Sequence, residues 1–302
     1  MSRPAKSIRV WAEMVKLPHS VFALPFALIG AFLAGRSLDG RRVPHLGQLG
    51  LIVVCMVAAR SVAMTFNRIA DAGIDARNPR TAGRPIPAGM LSMSAAWLML
   101  GLAALTFGIG CLGFYFYYHN AWPILLSGPV LLYLCGYSLT KRFTKWSHFY
   151  LGSALALSPL GAWLAINPAS VGFPVVFLMA AVACWVGGFD IIYASQDIAV
   201  DRREGLHSLP SRLGPATALW LARVAHVACV AALVMLGVTA HLGLLYAIGV
   251  GIAAVLLAIE DSLVRPGDYS KVNFAFFTIN GVVSLVLAGM AIADILLTAA
   301  PT

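Results

Sequence analysis

The sequence predicts an all-α, polytopic membrane protein, a bundle of nine transmembrane helices in one domain covering residues 1–302. Three observations carry that expectation. The chain is 60% hydrophobic and only 11% charged, whereas soluble domains are about 45–50% apolar, and its mean hydropathy is +0.84. Apolar windows of about 20 residues, the length that crosses roughly 30 Å of hydrocarbon as a helix, recur along the whole chain. Strict period-two alternation, which a closed barrel requires, is absent.

The first span, 18–35, follows a basic start and resembles a signal sequence, but eight more spans come after it and no small-residue cleavage site ends it, so it reads as an uncleaved first helix. The second span, 48–67, runs into the polar Asn67. The third and fourth, 94–116 and 122–140, are joined by a short uncharged turn flanked by Tyr115, Tyr117, Tyr118 and Trp122, residues suited to a membrane interface. Spans at 149–167, 173–193, 216–239, 242–260 and 273–298 complete the set. Gly108, Gly110, Gly113, Gly249 and Gly251 lie inside spans, where small residues let helices approach closely. Cys55, Cys111, Cys135, Cys184 and Cys229 also fall in apolar spans without a C-x-x-C pair and read as small hydrophobes.

A net charge of +9 invites a nucleic-acid reading, but the distribution of charge gives a simpler one. Counting alternate loops from a cytoplasmic N-terminus, sixteen of the 21 Lys and Arg residues fall on the cytoplasmic side, and only Arg36, Arg41 and Arg42 on the other. That is the positive-inside pattern, with the C-terminus outside. No nucleic acid and no obligate protein partner is expected; the lipid bilayer is.

Two acidic segments interrupt this apolar chain: Asn67-x₃-Asp71-x₃-Asp75 and Asp190-x₂-Tyr193-x₃-Asp197-x₃-Asp201, together five of its twelve acidic residues. Steps of four drift only about 40° around an α-helix, so each segment forms a stripe. Both stripes end even-numbered spans and thus reach the same membrane face. Carboxylates clustered at the negative ends of helix dipoles repel one another and call for cations. Mg²⁺, usually held by one or two carboxylates plus substrate phosphates and water, suits so sparse a donor set. Basic residues lie beside the acids: Arg68, Arg77, Arg80 and Arg84, then Lys141 and Arg142, then Arg202, Arg203 and Arg212. Such groups are the usual partners of phosphate, and acid, base and apolar bundle together describe a site for a lipid-tailed diphosphate. Salt bridges and topogenic charge are the plainer readings of the same residues. His19, His148, His207, His226 and His241 are scattered and read as structural or interfacial.

These motifs resemble the UbiA-type membrane prenyltransferases. Asn67-Arg-Ile-Ala-Asp71-Ala-Gly-Ile-Asp75, followed by Arg84-Pro-Ile-Pro, is similar to that family's N-x₃-D-x₃-D signature and R-P-x-P loop; Tyr137-Ser-Leu-Thr-Lys141-Arg142 resembles its Y-x₃-K-R element. The stretches Arg202-Arg-Glu-Gly-Leu-His207-Ser and Lys16-Leu-Pro-His19 look most like its bacterial 4-hydroxybenzoate polyprenyltransferase branch. The resemblance implies a Mg²⁺-dependent transfer of a polyprenyl chain from polyprenyl diphosphate to an aromatic acid acceptor in ubiquinone or menaquinone biosynthesis, at the cytoplasmic side of the inner membrane. Asp71, Asp75, Asp197 and Asp201 would hold the metal. Asn67, Arg68, Arg84, Lys141, Arg142 and Tyr193 would bind the diphosphate, Asp190 would take the ring proton, and Lys16 and His19 would meet the acceptor carboxylate. Some members of that branch resemble enzymes acting on 1,4-dihydroxy-6-naphthoate, an alternative acceptor. An ion-coupled membrane transporter is the reading from a different class, disfavoured because transporter sites lie near the bilayer midplane and these acids stand at span ends.

Overall fold

The computed structural model describes residues 10–15, 22–38 and 43–298. Lys16 and His19 lie outside them. Among the described residues nine apolar helices carry the fold, here α1 (Leu24–Gly35), α2 (Leu46–Ala70), α3 (Met93–Tyr118), α4 (Trp122–Thr140), α5 (Ser147–Ile166), α6 (Phe173–Ala194), α7 (Pro215–Thr239), α8 (Leu244–Leu263) and α9 (Asn280–Leu297). Among the described residues eight segments are long and apolar enough to cross a membrane, and α1 is the exception. At 12 residues it rises only about 18 Å. The others begin and end within a few residues of the expected spans, except that in the last one the short helix Val272–Phe274 and a π-turn at Ala275–Ile279 precede α9.

The described residues fall into two compact units. In the unit that includes residues 53–140, Ala58 and Ala59 of α2 pack with Phe107 and Cys111 of α3, and α4 covers them with Val130, Leu131 and Leu134. Residues 10–15 join this unit: Met14 packs on Leu91 and Ala96, and the Trp11 Nε1–H donates to Thr65 Oγ1 at 2.9 Å.

In the unit that includes residues 141–298, α6 lies between α5 and α7, α1 packs on α5, and α8 on α9. Two close approaches require glycine. A Cβ on Gly30 of α1 would sit 2.5 Å from the Pro159 carbonyl oxygen of α5, and one on Gly152 of α5 would collide with the Ala183 carbonyl of α6. Of the glycines expected to pack helices, Gly110 meets Cys55 and Gly249 meets Met290, but Gly108 and Gly251 face open space. Hydropathy marks where a span is, not which side of it meets a neighbour.

A polar network stands inside this apolar unit. Trp185 Nε1–H donates to Asn280 Oδ1 at 2.6 Å, and Asn280 Nδ2 donates to Glu260 Oε1 at 2.7 Å and to the Ala275 carbonyl at 3.2 Å. The last bond ties the Asn280 side chain to the first carbonyl of the π-turn Ala275–Ile279 at the entry to α9. A wider turn of this kind leaves backbone groups out of register and recurs at functional sites. Here it sets Phe276 against Tyr193, ring centroids 4.3 Å apart, and against Phe189 and Phe22.

Candidate functional site

Each acidic segment belongs to a different unit, and each folds the same way. In the first, α2 carries Asn67 and Arg68 to its end and Asp71 leaves helical geometry (φ −98°, ψ 5°) before a six-residue helix, Ala72–Arg77. In the second, α6 passes through a 3₁₀ turn, and Asp197 (φ −103°, ψ 8°) precedes the six-residue helix Ile198–Arg203. The fourth residue of each short helix is a buried carboxylate, Asp75 at 5% exposure and Asp201 at 3%. The four-residue register survives the first break, since Asp71 N–H donates to the Asn67 carbonyl at 3.0 Å and Asp75 N–H to the Asp71 carbonyl at 2.7 Å. The expected stripe of the first segment is therefore real, but its middle Asp stands at a hinge between helices.

A buried carboxylate needs partners. Arg84 supplies them for Asp75: its Nη1 lies 2.7 Å from Oδ1 and 2.8 Å from Oδ2, with Arg68 Nη1 at 3.8 Å from Oδ2. The loop is shaped to return Arg84 there. Asn78 Oδ1 accepts from Arg80 N–H at 2.9 Å, and the Thr81 hydroxyl donates to the Asp75 carbonyl at 3.1 Å. Asn67 Nδ2 donates to Asp71 Oδ2 at 3.0 Å. Because one nitrogen spans both Asp75 oxygens rather than a two-pronged fork, a Lys ammonium can take over part of the bond. Arg84→Ala is expected to lower the thermal midpoint in detergent by more than Arg84→Lys does, and equal losses would contradict this geometry.

In the second segment Asp201 Oδ2 accepts from the Ser208 hydroxyl at 2.6 Å. Ser208 also caps the short helix Leu209–Leu213 in a reciprocal box with Ser211. Gly205, at φ +69°, occupies the left-handed region that glycine tolerates, and Leu206 N–H bonds back to the Asp201 carbonyl at 2.8 Å. The His207 N–H donates to the Lys141 carbonyl at 2.6 Å, so the basic Lys141-Arg142 corner is tied to this loop. Arg142 itself is exposed.

One helical turn deeper than Tyr193, Asp190 is buried in α6 and lies 2.7 Å from Nδ1 of His148, which is fully buried on α5. His148 Nε2 accepts from the Leu209 N–H at 3.2 Å. The acceptor role of Nε2 places the ring proton on Nδ1, where it donates to Asp190. The structural or interfacial reading of His148 is thus refined: it partners the deepest acid of the segment. The signal was present, because a carboxylate inside a span implies a buried partner, but nothing in the sequence chooses which of the seven histidines supplies it.

Among the described residues no group of three or more His, Cys, Asp or Glu side chains forms a metal cage. Asp71, Asp75, Asp197 and Asp201 are hard oxygen donors standing in pairs, which fits a cation completed by phosphate and water. It does not fit zinc or a soft metal.

A family model described as the UbiA prenyltransferase family matches residues 23–282. A 4-hydroxybenzoate octaprenyltransferase of Nitrosospira multiformis is 31% identical over 90% of this chain and 91% of its own length. Among solved structures, a UbiA homolog from Aeropyrum pernix K1 in its apo form superposes with a TM-score of 0.80 at 30% identity, covering 92% of this chain and 98% of that one. A UbiA homolog from Archaeoglobus fulgidus bound to DMAPP and Mg²⁺ shares the fold with a TM-score of 0.67 at 17% identity, covering 95% of this chain and 99% of that one.

Proposed function

The chain belongs to the UbiA prenyltransferase family, and from that premise we propose that its two acidic turns bind a Mg²⁺-complexed polyprenyl diphosphate whose chain is transferred to 4-hydroxybenzoate. It is a multi-pass membrane prenyltransferase, not a transporter. The observation that carries the proposal is the repeated turn, in which a hinge Asp and a buried Asp follow the same break in two helices. The acceptor reading is supported by the relative named 4-hydroxybenzoate octaprenyltransferase. The metal and diphosphate reading is supported by the Archaeoglobus fulgidus neighbour, which binds DMAPP and Mg²⁺. The family model runs through both compact units, which supports treating the chain as one domain.

In this reading the allylic C–O bond breaks and its electron pair leaves on the diphosphate. A ring carbon of the acceptor then bonds to the allylic carbon, and loss of the ring proton restores aromaticity. Asp71, Asp75, Asp197 and Asp201 would hold Mg²⁺, which when bound neutralises charge on the departing diphosphate. Asn67 orients Asp71. Arg68, Lys141 and Arg142 add positive charge for the leaving group, and Arg84 does so while anchoring Asp75. Tyr193 offers a hydroxyl to the diphosphate, and the apolar helices shield the allylic cation from water. Asp190, steadied by His148, takes the ring proton. Lys16 and His19 meet the acceptor carboxylate. The positive-inside pattern supports a site on the cytoplasmic face of the cell's inner membrane with the N-terminus inside.

A panel tests the reading. Purified protein in lipid nanodiscs is given 4-hydroxybenzoate or 1,4-dihydroxy-6-naphthoate, each with short and long prenyl diphosphates, with Mg²⁺ or with EDTA. Mass spectrometry is expected to find prenylated 4-hydroxybenzoate only where Mg²⁺ is present. Product from the naphthoate alone would overturn the acceptor, and turnover in EDTA would overturn the metal.

A further inference from the structure

The two acidic turns differ in what grips the buried carboxylate. In the first it is Arg84, nine residues on, itself a charge able to face a phosphate. In the second it is Ser208, seven residues on, through a single hydroxyl bond of 2.6 Å. We propose that Ser208 is a positioning residue for prenyl transfer, locking Asp201 in the orientation that presents its other oxygen, Oδ1, to the metal–diphosphate complex. The inference rests on Asp201 being a metal ligand, as proposed above.

Three features of the turn support it. First, Ser208 is fully buried and held on several sides. Its N–H donates to Ser211 Oγ at 3.1 Å, and its own Oγ accepts from Ser211 N–H at 3.3 Å, which leaves the hydroxyl proton for Asp201. Second, the next residue is anchored from another helix, since the Leu209 N–H is bound by His148 Nε2 at 3.2 Å. Asp201 and Asp190 are therefore braced through one dipeptide, Ser208-Leu209, by Ser208 and His148 respectively. Third, Arg202 Nε donates to the Ser211 carbonyl at 3.2 Å, closing the turn on the far side. A cap alone would need only an oxygen that accepts. This hydroxyl also donates, to a carboxylate that the fold keeps buried, and carboxylate ligands elsewhere depend on such partners for metal affinity.

The test uses Mn²⁺ as the probe, with electron paramagnetic resonance reading free Mn²⁺ in the presence of inorganic diphosphate and the purified full-length protein. Ser208→Ala is expected to weaken Mn²⁺ binding about 10-fold, within the range for loss of such a partner, and Ser208→Thr, which keeps the hydroxyl, to restore most of it. Ser208→Gly, a better cap than alanine, removes the hydroxyl with less risk to folding and is expected to weaken binding as Ser208→Ala does. In turnover assays, Ser208→Ala should raise the Mg²⁺ concentration needed for half-maximal rate more than it lowers the rate at saturating Mg²⁺. Wild-type Mn²⁺ affinity in Ser208→Ala and Ser208→Gly, with loss in Asp201→Asn, would overturn the role of Ser208 alone. Wild-type affinity in Asp201→Asn would overturn the metal assignment on which it rests.

Discussion

Asp71→Asn is expected to lower prenyl transfer by about 100-fold or more at saturating substrates while leaving the folded protein intact. The side chain at this position accepts a hydrogen bond from Asn67 Nδ2 at 3.0 Å, and the new amide oxygen can still accept it. Backbone bonds to Asn67 and from Asp75 do not involve the side chain. The substitution removes the charge while keeping the size and shape of the side chain. Groups placed to balance charge that develops as a bond breaks contribute on the order of 10²–10³ in rate when removed singly. A thermal midpoint close to wild type, with transfer lost and not rescued by saturating prenyl diphosphate, is the expected pair of readings. Full turnover would remove Asp71 from the metal site. Asp75→Asn is a less clean probe, because it also loosens Arg84 and Arg68.

Gly152→Ala is expected to give a large stability loss for a single added methyl. The added carbon meets the backbone carbonyl of Ala183, which belongs to α6 and cannot rotate aside as a side chain would. Relief requires α5 and α6 to separate, and overpacking of this kind costs typically 1–3 kcal/mol. Separation would also act on His148, one turn before Gly152 on α5, and so on its bond to Asp190 of α6. Gly30→Ala, against the Pro159 carbonyl, should behave similarly, whereas Gly161→Ala, with nothing within 4 Å, should be near neutral. Size-exclusion chromatography after heating in detergent would rank them, and equal midpoints would refute the packing argument.

Much of this architecture is legible in the sequence because hydrocarbon thickness imposes one length scale. Eight expected spans appear as helices with nearly the expected ends, while α1 is shorter than its hydropathy window among the described residues. The acidic stripes are legible for the same kind of reason, since a four-residue step is fixed by helix geometry. The breaks at Asp71 and Asp197 are not, because no Gly or Pro stands at those positions to announce them. Ser208 was within reach: Ser-Leu-Pro-Ser, with a proline just inside the short helix, is a helix-start signature. His148 was not. It meets Asp190 across 42 residues of chain, and no periodicity links two positions on different helices. Gly30 and Gly152 were invisible for a related reason, since composition does not say which glycine faces a carbonyl.

The imidazole of His148 has consequences for where a proton can travel. Its one N–H is given to Asp190, and its one available lone pair is taken by a backbone amide. Nothing on the ring is left to lend to a substrate. A proton that arrives on Asp190 cannot be relayed through the histidine unless the amide at Leu209 lets go, and that would loosen the turn that holds Asp201. Acid–base traffic at the deep carboxylate and order at the second acidic turn are coupled through five ring atoms, so a variant that frees the ring for chemistry would do so by dismantling the brace.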